Sequence, residues 1–263
     1  MMPVPHESIV RVPFSIDRKE PKANLSNMLR TVGSAVMDLV YPPCCVSCRV
    51  RVFDDRRVIC RVCESGLLPI DAPYCERCGN PLDTPVVPCP ACPGRTFYFD
   101  GAISGFEFNR PLQDLIHQLK YRNRPGIGLF LGSLLAKRVE QEPGMPHITG
   151  VVPVPLHPLR NRQRGYNQSA CIARGISDET GIPVLENVLA RTRNTPTQTS
   201  LSPEERMANV DGVFEVRGAE AVGDATVSLV DDIFTTGATI NSCARALLQA
   251  GAERVFALTV ARA

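Results

Sequence analysis

The sequence predicts an α/β protein, a parallel sheet flanked by helices, preceded by a small cysteine-rich module. Three observations carry this reading. From residue 96 onward, short apolar runs alternate with amphipathic stretches of helical period, as strands and helices do around a parallel sheet. Nine of the 11 cysteines lie between Cys44 and Cys92. The length of 263 residues allows roughly two units at about 150 residues each. Hydrophobic residues make up 44% and charged residues 21%, so a sizeable core is available and wholesale disorder is excluded. The net charge of +2 marks the chain as neither polybasic nor acidic.

In chain order, residues 1–23 are polar, proline-containing and without period, and read as a loose tail. Residues 24–43 read as an amphipathic helix, with Leu25, Met28, Leu29, Val32, Val36, Leu39 and Val40 on one face. Pro42 and Pro43 stop it. Neither this stretch nor Gly126–Ala136 reaches the roughly 18–20 uncharged apolar residues of a membrane span. The N-terminus carries Glu7, Arg11 and Asp17 without a long apolar run, so no secretory signal, no membrane insertion and a cytoplasmic location are expected.

Residues 44–95 contain four C-x-x-C pairs: Cys45/Cys48, Cys60/Cys63, Cys75/Cys78 and Cys89/Cys92. The pairs are separated by 11, 11 and 10 residues, and no histidine intervenes. In a reducing compartment this spacing fits two tetrahedral all-cysteine zinc sites. Disulfides and an iron–sulfur centre are the alternatives. Sulfur chemistry alone leaves the pairing open; sequential pairing is favoured because it closes short loops. Cys44 is an odd thiol able to replace Cys45. So small a segment, poor in periodic apolar residues, would draw much of its stability from metal.

Residues 96–263 form the α/β domain. Phe97–Phe108 reads as a strand or hairpin broken at Gly101 and Gly105. Asn109 and Pro111 start a helix that buries Leu112, Leu115, Ile116 and Leu119 and ends near Lys120-Tyr121. A second helix spans about 127–141, a strand 151–154, a basic loop 156–165 and a helix 167–180. Residues 191–209 read as a long, mobile polar excursion. A strand over 225–230, a turn over 231–237, a helix over 238–250 and a strand over 255–260 complete the chain.

The most informative segment is Val227-Ser-Leu-Val-Asp-Asp-Ile-Phe-Thr-Thr-Gly-Ala-Thr239. An apolar strand runs into two acids, then into small and hydroxylated residues at the start of a helix. Small residues let backbone N–H groups approach an anion, and the helix dipole favours it. Two carboxylates would repel phosphate, but they suit neighbouring ribose hydroxyls or a divalent cation. The turn therefore reads as a ribose-5-phosphate site at the carboxyl end of a strand. A surface turn with a threonine N-cap is the plain alternative. The spacing and lysine of a Walker A loop are missing.

This segment resembles the signature by which type I phosphoribosyltransferases bind phosphoribosyl pyrophosphate (PRPP). Further stretches are similar to the ComF family: Tyr41-Pro-Pro-Cys44, Leu115-Ile-His-Gln-Leu-Lys-Tyr121, Val152-Pro-Val-Pro-Leu-His157, Arg164-Gly-Tyr-Asn-Gln168, and Arg191-x-Arg-x-Thr-x-x-Gln198 with Leu201, Arg206 and Asn209. The resemblance covers about residues 24–263. It implies a type I phosphoribosyltransferase-like sheet and a double zinc-ribbon-like module. It implies that Asp231 and Asp232 contact the PRPP 2′- and 3′-hydroxyls and act as catalytic residues, and that Thr235, Thr236, Gly237, Ala238 and Thr239 hold the 5-phosphate. Ala238 stands where glycine is frequent, so its φ is expected to be negative. Lys120 and Tyr121 would contact pyrophosphate, and Arg164 pyrophosphate or the acceptor, although a lysine at a helix C-terminus also suits the dipole. Mg²⁺ is expected with PRPP. The excursion at 191–209, with Gln198 and Arg206, resembles a hood closing over substrate. Tyr166, His117 and His157 read as packing or surface residues, and Cys171 and Cys243 as core. No general base is evident, and purines, pyrimidines, ammonia and nucleic-acid bases remain acceptors.

A second function class stays open: a ComF-like DNA-uptake or transformation factor working through its zinc module and basic loop, with the run Arg160, Arg162, Arg164 and Arg174 a candidate contact for single-stranded DNA, or a sensor of nucleotides without turnover. Metal analysis of the purified chain should find about two zinc ions, released by denaturation in chelator. A zinc-free protein with oxidised cysteines would reverse the compartment argument.

Overall fold

The computed structural model describes residues 43–52, 58–85, 88–193 and 212–263. The expected tail and first helix lie outside them, as do Gln198 and Arg206 and most of the 191–209 excursion. Four strands, β1 (Gly101–Glu107), β2 (Gly150–Pro153), β5 (Thr226–Phe234) and β6 (Arg254–Arg262), form a sheet in the order β1-β6-β5-β2. All its pairings are parallel. A two-stranded antiparallel hairpin, β3 (Leu189–Arg191) with β4 (Phe214–Val216), frames the expected excursion.

Strand alternation builds two cores, because neighbouring residues face opposite sides of the sheet. Ile103, Val151, Val230 and Leu258 face one core; Ala102, Val152, Leu229 and Ala257 face the other. After the one-turn α1 (Arg61–Glu64) in the cysteine module, α2 (Arg110–Tyr121), α3 (Pro125–Glu140) and α5 (Gln168–Thr180) cover the first core; α6 (Ala238–Gln249) and the β3–β4 hairpin cover the second. The parallel sheet between helices is thus the expected fold class. Helix α2 starts as its sequence demands, with Asn109 Oδ1 accepting from Leu112 N at 3.2 Å, and it buries the four expected residues. Among the described residues no helix is long and apolar enough to cross a membrane.

The cysteine module is built into the same compact unit, Pro43–Ala263. Cys45, Val46, Val52, Ile59 and Leu67 join the first core, and Cys78 joins the second. Between them, residues 68–76 run along the outer side of β1. Ile70 N donates to Gly105 O at 3.0 Å, Glu107 N to Leu68 O at 2.8 Å, and Ala102 N to Glu76 O at 3.0 Å. The module therefore covers the sheet edge that β1 would otherwise expose for pairing. Gln118 Nε2 to Val46 O (3.1 Å) and Arg138 Nε to Ile70 O (3.2 Å) tie it to α2 and α3.

Three expectations are corrected. Within residues 97–108 a single strand runs from Gly101 to Glu107, unbroken at Gly105, where a Cβ would press on Leu135 and Val260 O at 3.4 Å. The basic loop at 156–165 contains a helix, α4 (Pro158–Arg164). His157 Nδ1 caps Leu159 N at 3.3 Å, Pro158 opens the helix, and Gly165 closes it at φ 83°. Strand β5 continues to Phe234, so both acids lie on the strand and not in the turn.

Helices α3 and α5 cross at glycines. A Cβ on Gly132 would stand 2.1 Å from Ile172 O, and one on Gly175 2.2 Å from Leu129 O. Backbone on the far side leaves no flexible atom to yield. Gly132→Ala should therefore cost about 3 kcal/mol, seen as a lower urea midpoint; an unchanged midpoint would contradict this crossing.

Candidate functional site

Parallel strands place their carboxyl ends on one side of the sheet, where loops and helix N-termini converge. There, a cleft of about 600 Å³ lies between the end of α2, helix α4, the end of β5 and the start of α6. Lys120, Tyr121, Arg164, Asp231, Asp232, Thr235, Gly237, Ala238 and Thr239, all singled out from the sequence, line it. Thr236 is not part of the lining; its Oγ1 accepts from Ala238 N at 3.4 Å.

The turn is shaped by Gly237, which precedes α6 at φ 76°. A Cβ there would meet Phe234 Cζ at 2.5 Å, so backbone conformation and space both demand glycine. Ala238 is the first helical residue and is not in the left-handed region, as expected.

Lys120 Nζ lies 2.7 Å from Asp232 Oδ2, joining the last turn of α2 to β5. Burial pulls the Lys120 ammonium down, but the charges of Asp232 and Asp231 outweigh it and hold its pKa above the ordinary lysine value. Asp231 Oδ1 accepts from Ser169 Oγ and from Asp232 N, both at 2.9 Å. Burial, and then the neighbouring Asp232 charge, push the Asp231 carboxyl up to about 7, against the opposing pull of Lys120. The site thus holds one firm ion pair and one acid that titrates near neutrality.

The basic residues divide. Arg164 donates to Gln168 and lies 5.5 Å over the Tyr121 ring. Arg160 also lines the cleft, whereas Arg174 pairs with Glu186 at 2.8 Å elsewhere. Tyr166 donates its hydroxyl to Leu119 O, which fixes the end of α2. His117 packs on Tyr121 with ring centres 4.9 Å apart, and Cys171 and Cys243 are buried. Sequence reasoning missed Ser169, Asn123, Gln163 and Gln168 as site residues, and left Arg160 and Arg191 outside the site. Asn123 follows a helix end at φ 49°, a position asparagine favours and a usable signal. Nothing in the sequence marks Ser169, whose partner is distant in the chain.

The cysteines gather sequentially, Cys45/Cys48/Cys60/Cys63 and Cys75/Cys78/Cys89/Cys92, with the sulfurs of each set within 4.8 Å of one another. Sγ separations of 3.6 Å (Cys48–Cys60), 3.8 Å (Cys75–Cys92) and 3.6 Å (Cys78–Cys89) match the edge of a zinc tetrahedron, roughly 3.8 Å for Zn–S bonds of about 2.3 Å. They far exceed a disulfide bond of about 2 Å. Both sets fit zinc, and Cys44 is outside them.

Residues 36–93 match the family model described as the double zinc ribbon domain. Competence protein F of Haemophilus influenzae is 30% identical over 226 residues, covering 83% of this chain and 96% of that protein. The chain belongs to the competence protein F (ComF) family. DNA utilization protein YhgH of Escherichia coli K12 is 32% identical over 224 residues, covering 82% of this chain and 96% of that protein. Competence protein ComFC of Bacillus subtilis is 27% identical over 211 residues, covering 78% and 84%. Among solved structures, the glutamine PRPP amidotransferase of B. subtilis is 22% identical with a TM-score of 0.37, over 54% of this chain and 30% of that longer one. Adenine phosphoribosyltransferase from Leishmania tarentolae is 16% identical with a TM-score of 0.33, over 52% and 71%.

An acid with a raised folded pKa favours the protonated native state, so its ionisation destabilises the fold as pH rises from about 4 to about 7. Asp231→Asn should remove this loss. Its stability relative to wild type in urea should increase by at least about 1 kcal/mol between pH 4 and 8. A flat or falling difference would contradict the burial of this carboxyl.

Proposed function

We propose that this ComF-family protein binds PRPP with Mg²⁺ and transfers ribose 5-phosphate to an acceptor, releasing pyrophosphate. The observation that carries the reading is that the acid pair, the threonine- and glycine-bearing turn and Lys120 share one cleft. In this reading the 5-phosphate rests on the turn from Thr235 to Thr239, at the N-terminus of α6. Asp231 and Asp232 accept the 2′- and 3′-hydroxyls. With Oδ1 of Asp231 already engaged by Ser169 and the Asp232 amide, its other oxygen faces the sugar. Lys120, Tyr121 and Arg164 lie on the pyrophosphate side.

Entry of the sugar exchanges the Lys120–Asp232 contact for hydroxyl contacts and leaves the ammonium for pyrophosphate. The acceptor forms a bond to C1 while the C1–O bond to pyrophosphate breaks, with the electron pair leaving on pyrophosphate. The carboxylates place negative potential beside the cationic sugar, and Lys120 and Arg164 stabilise the departing charge. Asp231 and Asp232 are the carboxylates that would hold Mg²⁺, which would supply positive charge against the departing pyrophosphate. No side chain is assigned as general base. The two cysteine sets play the structural part, holding the module against the β1 edge.

A second reading, DNA handling, draws on the names of the relatives and on Arg160, Arg162 and Arg164, which share the short helix α4 at the cleft. One pair of measurements separates the two. Asp232→Asn should weaken PRPP binding about tenfold or more by calorimetry, the size of losing hydrogen bonds to a charged group, with the fold unchanged. Equal affinity would count against the PRPP site. Salt-dependent binding of single-stranded DNA, unaltered by Asp231→Asn, would favour the DNA reading.

A further inference from the structure

The anion turn has an exposed amide side only if its carbonyls are held elsewhere, because a carbonyl oxygen facing a phosphate would repel it. Each carbonyl from Phe234 to Gly237 has a donor. Arg262 Nη1 donates to Phe234 O at 3.2 Å and to Thr235 O at 3.1 Å. Arg95 Nη1 donates to Thr236 O at 3.3 Å. Gly237 O accepts from Asn241 N at 2.8 Å within α6. Neither arginine lines the cleft. Both act from behind the turn, holding its carbonyls while adding positive charge near the phosphate position.

The two anchors have different origins. Arg262 belongs to β6 and is fixed by the sheet, its guanidinium stacked 5.0 Å over the Phe234 ring. Arg95 belongs to the cysteine module. Its backbone N donates to Cys92 O at 3.1 Å, and Cys92 is the last ligand of the second four-cysteine set. Just beyond, Asn241 in the first turn of α6 accepts from Tyr98 N at 2.6 Å and donates to Thr96 O at 3.0 Å. The chain leaving the second cysteine set is therefore bonded to the anion turn and to the helix behind it.

We infer that Arg95 is a positioning residue for the phosphate-binding turn, and that through it the geometry of the second four-cysteine site sets the affinity of the cleft for a sugar 5-phosphate. The inference rests on the PRPP reading above and adds a metal-linked control to it. Arg95 touches no ligand. Its effect is confined to the 5-phosphate end, because the Lys120 side of the cleft is built from α2 and, among the described residues, no hydrogen bond joins Arg95 to that helix.

The test uses the full zinc-loaded chain and two probes in calorimetry, ribose 5-phosphate and Mg²⁺–pyrophosphate. Arg95→Met should weaken ribose 5-phosphate about tenfold, leave pyrophosphate within twofold, and keep zinc content and melting temperature near wild type. Arg95→Lys should recover most of the loss. Cys92→His, which keeps a nitrogen ligand for zinc while displacing the 92–95 turn, should weaken ribose 5-phosphate in wild type and add nothing in the Arg95→Met background. If wild type binds ribose 5-phosphate and Arg95→Met binds it equally well, the positioning role is overturned. Equal loss for both probes overturns its confinement to the 5-phosphate end. Additive losses for Cys92→His and Arg95→Met overturn the link to the cysteine site. Failure of wild type to bind ribose 5-phosphate sinks the reading of the site itself, a result distinct from all of these.

Discussion

The cleft depends on one ion pair, Lys120 Nζ to Asp232 Oδ2 at 2.7 Å. It joins the last turn of one helix to the end of a central strand and so sets the width of the cleft between them. A pair this buried is weak evidence for stability, because desolvation offsets most of the attraction. Its significance is local. It keeps Asp232 compensated while Asp231, whose Oδ1 accepts from the Asp232 amide, is pushed up to about 7. Two adjacent carboxylates sit beside Lys120, Arg160, Arg164 and Arg191 in one cleft, so acceptors for hydroxyls and cations for an anion line the same space. Tyr166 braces the arrangement by holding Leu119 O, one residue before the lysine.

Everything around this pair brings it to the right place. Parallel pairing puts the ends of β2 and β5 side by side, and α6 leaves β5 through a turn that only glycine at 237 allows. The cysteine module, which a linear reading would treat as an appendage, completes the fold. It covers the free side of β1 and feeds side chains into both cores. For a segment that cannot bury enough apolar surface alone, attachment to an existing sheet and two metal cages serve the same end. The module and the cleft lie on elements that share hydrogen bonds, so neither is independent of the other.

Local chemistry made much of this legible from sequence. Asn109 and Pro111 announced a helix start, the C-x-x-C spacings announced two four-sulfur sites, and the Asp-Asp-x-x-Thr-Thr-Gly-Ala-Thr run announced a tight glycine turn between strand and helix. The misreadings have specific causes. The three arginines of α4 suggested a solvated loop, although Pro158 and Gly165 were a helix start and stop. The acids were placed in a turn because strand propensity falls at Asp, whereas pairing of Asp231 with Thr259 and Phe234 with Arg262 carries β5 onward. Tertiary pairing overrode propensity there. Ser169, Arg95 and Arg262 were illegible because their partners lie 62, 141 and 28 residues away for the bonds Ser169–Asp231, Arg95–Thr236 and Arg262–Phe234.

The most direct test of the account is a crystal structure of the zinc-loaded protein with ribose 5-phosphate. The phosphate should lie against the backbone amides of residues 236–239 and the 2′- and 3′-hydroxyls within hydrogen-bond distance of Asp231 and Asp232, with Lys120 drawn off Asp232. A sugar seated elsewhere, or one bound in this cleft with its phosphate away from the turn, would contradict it.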